Sequence, residues 1–345
     1  MNDKIAVVIT SISEPNRVLR EIAQQSKKRD HQFIVIGDES SPLTFELDGC
    51  NFYSLEQQVA SGLKFAELCP RRHYARKNIG YLLAIKSKAS VIIELDDDNI
   101  PRESFWFFRQ REQYVHTSEN AGWVNVYSYF TEKNIWPRGF PLDAVQSQSP
   151  LWDSLNIERV DCPIQQGLAD ENPDVDAIYR LICPLPQNFR NDRRLALKSG
   201  TWCPFNSQNT TWWPDAYKLM YLPAYCSFRM TDIWRSFVAQ RIAWINGWSI
   251  LFHEPTVWQD RNKHDLMRDF SEEVPGYLYN RAICEALESL NLIAGTDKLG
   301  DNLFICYEKL VSMSLIKEQE LSLLNAWLSD LEQVCSNESA DSLRR

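Results

Sequence analysis

The sequence predicts an α/β protein, a mostly parallel sheet flanked by helices with a helical extension at its C-terminal end, and three observations carry that prediction. In the first third, short apolar β-rich runs alternate with amphipathic stretches at helical spacing, the order from which parallel sheets with covered faces are built. Three of the apolar runs end in polar segments, ITSISEPN, IGDESS and ELDDDN. Ligands of such sheets bind beyond the carboxyl ends of the strands. The last quarter returns to an uninterrupted helical pattern that closes on the amphipathic EQELSLLNAWLSDLEQV.

Taken in order, KIAVVIT reads as a buried strand and NRVLREIAQQSKK as the helix after it. FIVIG is a second buried strand and CNFYSL a shorter third. The helix ARKNIGYLLAIKSK then delivers the chain to SVIIELDDDN, a strand with a fully apolar body and an acidic end. From about residue 130 to 225 the texture changes to loops rich in Pro, Trp and Asn, where periodicity places no element. An irregular stretch of that length inside a compact domain is usually functional. Helix MTDIWRSFVAQRIAWING and strand WSILFHEPTVWQ follow, then helices over 277 to 333 and a frayed tail. The expected division is a catalytic domain over 1–275, with a nucleotide half (1–130) and an acceptor half (131–275), and a helical extension over 276–345. That extension either supports the catalytic domain or forms a homodimer interface.

Composition narrows the classes. A chain of 345 residues with 44% hydrophobic, 12% aromatic and 24% charged residues is that of a folded globular protein. Its formal net charge of -9 argues against a general nucleic-acid binder. The nine cysteines are scattered and form no C-x-x-C pair, so reduced thiols in a cytoplasmic protein are expected. No apolar run reaches the length of a spanning helix. A soluble protein is expected, with peripheral association at a membrane left open.

The acidic end of VIIELDDDNIP is the strongest chemical signal. Three consecutive carboxylates raise one another's pKa unless a cation neutralises them, and hard divalent ions such as Mg2+ or Mn2+ take oxygen ligands together with substrate phosphates. Asp96 and Asp98, being alternate, can reach one ion while Asp97 turns to another partner. The competing reading is a solvated acidic turn. QQGLADENPDVDAIYRL brings Asp170, Glu171, Asp174 and Asp176 together, either as acceptors of sugar hydroxyls or as a solvated loop. Trp136 and Arg138 in WPRGFP suit stacking on a sugar ring and gripping an anion, or form a rigid turn.

The order FIVIGDESS, RKNIGYLLAI, VIIELDDDN resembles the nucleotide-sugar glycosyltransferases of the GT-A fold. That resemblance implies that Asp38 contacts the donor base, that Arg76, Asn78 and Gly80 lie beside its ribose or phosphates, and that Thr10, Ser11 and Ile12 close the pocket, with Asp96 and Asp97 also on the donor. The segments WPRGFPLD, QQGLADENPDVDAIYRL, PFNSQNTTWW, YLPAYCSFRMTDIWRSFVAQRIAW and QDRNKHDLMRDFSEE extend the likeness to the STELLO-type family, related to the reversibly glycosylated polypeptides and UDP-arabinopyranose mutases, over residues 5 to 280. Within that frame Asp232 in MTDIW is the expected catalytic base, although a helix-start role fits the local sequence equally well. The resemblance also implies a further metal ligand at His264, with His253 second. Arg261 and Lys263 are expected on the diphosphate.

The implied activity is metal-dependent transfer of a sugar from a nucleoside diphosphate sugar, expected to be UDP-linked, to a hydroxyl of a glycan or lipid-linked glycan. Two alternatives stand beside it: a UDP-sugar mutase, and a non-catalytic scaffold for other glycosyltransferases.

Overall fold

The computed structural model describes residues 3–262 and 265–342. Strand β1 (Ile5–Thr10) leads through helix α1 (Arg17–Lys28) to β2 (Gln32–Ile36) and β3 (Asn51–Tyr53). Short helices α2 (Leu55–Ala60) and α3 (Lys64–Leu68) precede α4 (Lys77–Lys86), which enters β4 (Val91–Leu95). Then come β5 (Asn99–Pro101), β6 (Glu112–Ser118), β7 (Gly122–Trp123), β8 (Asn156–Asp161) and β9 (Ile164–Asp170). Helix α5 (Ala177–Ile182) is followed by β10 (Arg194–Leu197), β11 (Thr201–Trp202) and β12 (Asn209–Trp212). Helix α6 (Thr231–Ile245) and the long strand β13 (Ile250–Gln259) close the sheet, and α7 (Leu266–Glu288), α8 (Leu299–Ser312) and α9 (Gln319–Ser342) complete the chain.

The main sheet runs β3-β2-β1-β4-β12-β9-β13-β10-β6-β8, with β5 paired to β13. Its first four strands are parallel. Beyond β4 it is mixed: β12 is antiparallel to both β4 and β9, while β9 and β13 run parallel. Strands β7 and β11 form a separate parallel pair. The α/β class is as expected, and parallel pairing prevails in the N-terminal part. The chain winds outward from β1 to β2 and β3, then crosses to β1's other side with β4. A crevice opens at such a reversal, at the carboxyl ends of the strands.

Alternation along the strands distributes the core. Val7, Ile9, Phe33, Val35 and Ile93 pack with α1 residues Leu19, Ile22 and Ala23 on one face. Ala6, Val8, Ile34, Ile36 and Ile92 face the larger core with α4, α6, α8 and α9. Gly80 is what lets α4 lie this close, because a Cβ there would come within 2.5 Å of Val8 Cγ1. The C-terminal helices belong to this second layer: Asp330 of α9 accepts hydrogen bonds from the backbone N–H groups of Lys64 (3.1 Å) and Phe65 (2.7 Å) at the start of α3. The border expected at residue 276 falls inside α7.

Candidate active site

A cavity of about 540 Å³ occupies the crevice. Its wall comes from the ends of three strands: Thr10, Ser11, Ile12 and Ser13 after β1, Gly37, Asp38 and Ser40 after β2, and Asp97 after β4. His73, Tyr74 and Arg76 before α4, with Phe228 and Asn262, close the far side. Of the residues expected on the donor, Thr10, Ser11, Asp38, Arg76 and Asp97 are thus brought to one cavity. Asp96, Asn78 and Gly80 are not among its lining residues. The Asn78 amide is buried, donating to Leu222 O (2.8 Å) and accepting from Leu222 N (2.9 Å), and Gly80 serves the packing of α4. This corrects their expected place beside ribose or phosphate: both sit on helix turns that face the core.

The cavity is rigid where polar groups meet it. Ser11 Oγ donates to Asp97 Oδ2 at 2.5 Å, and Ser13 Oγ to the same oxygen at 3.3 Å. Asn16 caps α1 through Leu19 N and donates to Asp97 O at 2.8 Å, so one side chain ties the helix to the acidic turn. The Asp38 carboxylate accepts from Glu39 N (2.7 Å) and His73 N (2.9 Å). Arg76 lines the cavity with a guanidinium already spent on Gln58 Oε1 and Cys69 O. His73 stacks on Tyr74, and Phe228 meets both rings edge-on. Burial pushes the His73 imidazole down to about 4 against the pull of Asp38, which keeps the ring neutral at ordinary pH.

The three aspartates diverge. Asp96 stays partly exposed and pairs with Lys77 Nζ at 2.8 Å. Lys77 is fully buried, and its ammonium also reaches Leu95 O (3.0 Å) and Ser207 O (3.2 Å). Asp98 is buried under Gln259, whose Nε2 lies 3.1 and 3.0 Å from its two oxygens. Burial, then the charge of Asp96, push Asp98 up to about 6, and burial raises Asp97 as well. The donor set suits a hard divalent ion: Asp96 and Asp98 offer carboxylate oxygens, and Gln259 Oε1 is a buried acceptor with no partner beside them. Among the described residues no trio of His, Cys, Asp or Glu is arranged to hold a metal, so an ion here would draw its remaining ligands from substrate or water. His264 and Lys263 lie outside the described residues. His253 is buried on β13, with Nδ1 3.0 Å from Glu254 O.

Behind the cavity lies a charged network. Arg138 grips Asp174 in a fork (2.9 and 2.9 Å) and Asp232 in a second (3.0 and 2.9 Å). Asp232 also accepts from Ser207 N at 3.2 Å and from the Tyr74 hydroxyl at 3.1 Å. Burial alone would raise the Asp232 carboxyl, but Arg138 and Arg235 hold it well below the usual carboxylate range. Asp232 is 3% exposed, and the cavity-lining Tyr74 is its contact with the site. Asn206 Nδ2 donates to Asp174 at 2.9 Å, and Arg235 Nη2 to Asn206 O at 3.0 Å. Arg235 completes the chain with a buried pair to Glu94 at 2.8 Å.

Burial corrects the sugar-contact reading of the WPRGFP and DENPDVD segments. Trp136 lies edge-on to Tyr179 and donates Nε1–H to Asp176 at 2.6 Å, so it presents no open ring face. Asp176 caps α5 through Tyr179 N. Arg138 and Asp174 spend their polar atoms on each other and on the network. Asp170 takes Arg102 at 2.5 Å and Phe189 N at 2.8 Å. Arg261 remains beside the site, 3.2 Å from Asp269. Lys77, His73, Tyr74, Phe228 and Asn262 were missed in the sequence. Only Lys77 carried a signal, a cation at the start of a largely apolar helix, one residue from the arginine selected.

A sheet switch point with an acidic strand end, a pocket at its mouth and oxygen donors around Asp98 make up the candidate site, in an α/β architecture consistent with a GT-A-like fold. The expected resemblance is borne out by comparison: residues 229–339 match the STELLO glycosyltransferases as a family. The chain is 29% identical over 270 residues to the probable glycosyltransferase STELLO2 of Arabidopsis thaliana, covering 73% of this chain and 35% of that protein. With probable glycosyltransferase STELLO1 of the same plant it shares 28% over 269 residues, 72% of this chain and 34% of the relative. It spans about a third of the length of these relatives. Among the described residues no helix is long and apolar enough to cross a membrane.

Proposed function

We propose that the chain is a metal-dependent glycosyltransferase that moves a sugar from a nucleoside diphosphate sugar, UDP-linked, to a hydroxyl of a glycan or glycolipid. The observation that carries this reading is the cavity at the β1/β4 reversal, which gathers the ends of three strands around Asp97 and is lined by Asn262, whose backbone N–H lies 3.5 Å from Asp98. The His73, Tyr74 and Phe228 rings offer an apolar seat for a base, and Asp38 a carboxylate at its rim. Asp96 and Asp98, with Gln259 Oε1, would hold a divalent cation, Mn2+ or Mg2+, which when bound supplies positive charge against the diphosphate. Arg261 adds a fixed cation on the same side.

In the transfer the acceptor oxygen forms a bond to the anomeric carbon as the bond to the diphosphate breaks. The proton of that hydroxyl passes to a carboxylate, and Asp232 is the one this reading assigns. Its carboxyl, held low by Arg138 and Arg235, meets the charge requirement of a base, and Tyr74 is the group that links it to the cavity. A thermal-shift titration with UDP, GDP and CMP, each with Mn2+ and with EDTA, tests the donor half of the proposal. Stabilisation by UDP that requires the ion and disappears in Asp96→Ala/Asp98→Ala is expected. No stabilisation by any nucleotide removes the donor site and moves the scaffold reading forward.

A further inference from the structure

Three arginines, Arg180, Arg229 and Arg261, lie outside the lining of the nucleotide cavity. Arg229 and Arg261 approach opposite oxygens of one carboxylate, Asp269, at 4.0 and 3.2 Å. Arg229 also pairs with Glu273 at 2.9 Å. Arg180 differs from both. Its Nη2 donates to Pro173 O at 2.7 Å, its Nε is buried with no partner, and it has no carboxylate partner among the described residues. The loop that carries Pro173 is tied to the acidic turn, because Asn172 Nδ2 donates to Gln259 O at 3.1 Å and the Gln259 side chain covers Asp98. Asn262, next to Arg261, lines the nucleotide cavity and brings its backbone N–H within 3.5 Å of Asp98. The three arginines therefore lie close enough for Arg261 and Arg229 to act on the charge of Arg180, and Arg261 also senses Asp98.

We propose that Arg180, together with Arg261 and Arg229, forms a phosphate-binding subsite outside the nucleotide cavity. A planar guanidinium with an unused Nε–H presents the fork that phosphate oxygens match, and a buried donor left without an acceptor is costly unless a ligand meets it. Electrostatics agree: burial, and the like charges of Arg261 and Arg229, push the Arg180 guanidinium down to about 9 despite Asp174 and Glu273. An arriving anion relieves that crowding. The phosphate has two possible sources, the terminal phosphate of the donor nucleotide or a phosphate on the second substrate, and the chemistry is the same for both. The inference extends the donor reading and rests on it only for the first source.

The test is calorimetric, on the full chain with Mg2+, using UMP, UDP and inorganic phosphate as probes and Arg180→Gln and Arg180→Lys as variants with thermal midpoints checked. If the donor supplies the group, Arg180→Gln weakens UDP about ten-fold or more and leaves UMP unchanged. If the second substrate supplies it, UDP is unaffected, and phosphate that binds the UDP-saturated wild type is lost in the variant. Arg180→Lys, which keeps charge but not the fork, gives an intermediate loss in either case and carries the test if the Gln variant unfolds. Equal affinities of wild type and both variants for UDP and phosphate overturn the subsite. UMP binding reports the nucleotide cavity alone, so a protein that takes phosphate but no UMP separates failure of the donor reading from failure of this one.

Discussion

Tyr74 stands where the cavity touches the buried charges. Its ring belongs to the aromatic seat with His73 and Phe228, whereas its hydroxyl donates to Asp232 and accepts from the Asp232 backbone N–H at 3.1 Å. Removing only the oxygen separates the two roles. In Tyr74→Phe, nucleotide affinity is expected to hold within about two-fold while kcat falls by about ten-fold or more, since a positioned proton acceptor contributes at least that much. Parallel loss of UDP affinity and kcat would make Tyr74 a binding residue and leave Asp232 without a route to the site. Asp232→Asn should act on kcat more strongly and also on stability, because Arg138 keeps Asp174 but loses half of its compensation.

Helix α6 is held against β4 by Glu94 and Arg235, a pair at 2.8 Å with both side chains essentially inaccessible. Tyr81 Oη and Trp212 Nε1 complete the Glu94 shell, and Arg235 lies over the Trp212 ring. Glu94→Gln leaves the guanidinium buried without its directly paired counter-charge and should lower stability by about 3–5 kcal/mol in urea unfolding. Adding Arg235→Met should restore a large part of that loss, since the glutamine oxygen still serves Trp212 and the buried charge is gone. Simple addition of the two single effects would show that the pair is not the lock between helix and strand.

These same elements show what the sequence could disclose. The strands β1, β2 and β4 and helices α1, α4 and α6 were legible because apolar runs and helical spacing betray burial directly. Strands β9 and β12 were not, although they lie at the centre of the sheet. Their buried side chains include Gln165, Gln166, Asn209, Thr210 and Thr211, with Gln166 Oε1 accepting from Thr210 and Asn209 donating to Thr256. A strand that is buried yet polar carries no hydrophobic alternation, so the stretch 130 to 225 reads as loop. For the same reason the candidate site was legible at Asp96–Asp98, where chemistry is local. Arg138 was singled out in the sequence too, but its role was not legible, because its partners Asp174 and Asp232 are brought together only by the fold.

At the scale of the whole molecule the C-terminal helices are part of the body that holds the site. Leu323, Leu324 and Trp327 of α9 are buried in the main core, with Trp327 edge-on to Phe65 and Tyr81. Ending the chain at residue 318 would remove those side chains, each contributing roughly 1.5–3 kcal/mol, and uncover the core they pack against. That should leave no cooperatively folded protein in calorimetry; a folded truncated chain with an intact UDP site would restore a separable extension. The same junction should give stability a pH signature through Glu320, which accepts from Tyr221 Oη and from the backbone N–H groups of Ala224 (3.0 Å) and Tyr225 (2.6 Å). Burial outweighs those bonds and lifts its carboxyl from 4.5 to about 6. With the folded value above the unfolded one, the native state binds the proton more tightly, so this contribution is full below about pH 4.5 and is lost as pH rises through 6. The change is about 2 kcal/mol. Burial also raises Asp176 to about 6, so the decisive quantity is the difference between wild type and Glu320→Gln in urea unfolding from pH 4 to 7. The glutamine variant should gain on wild type by about that amount across the window, and parallel curves would mean that Glu320 ionises freely where α9 meets the Tyr221–Tyr225 segment.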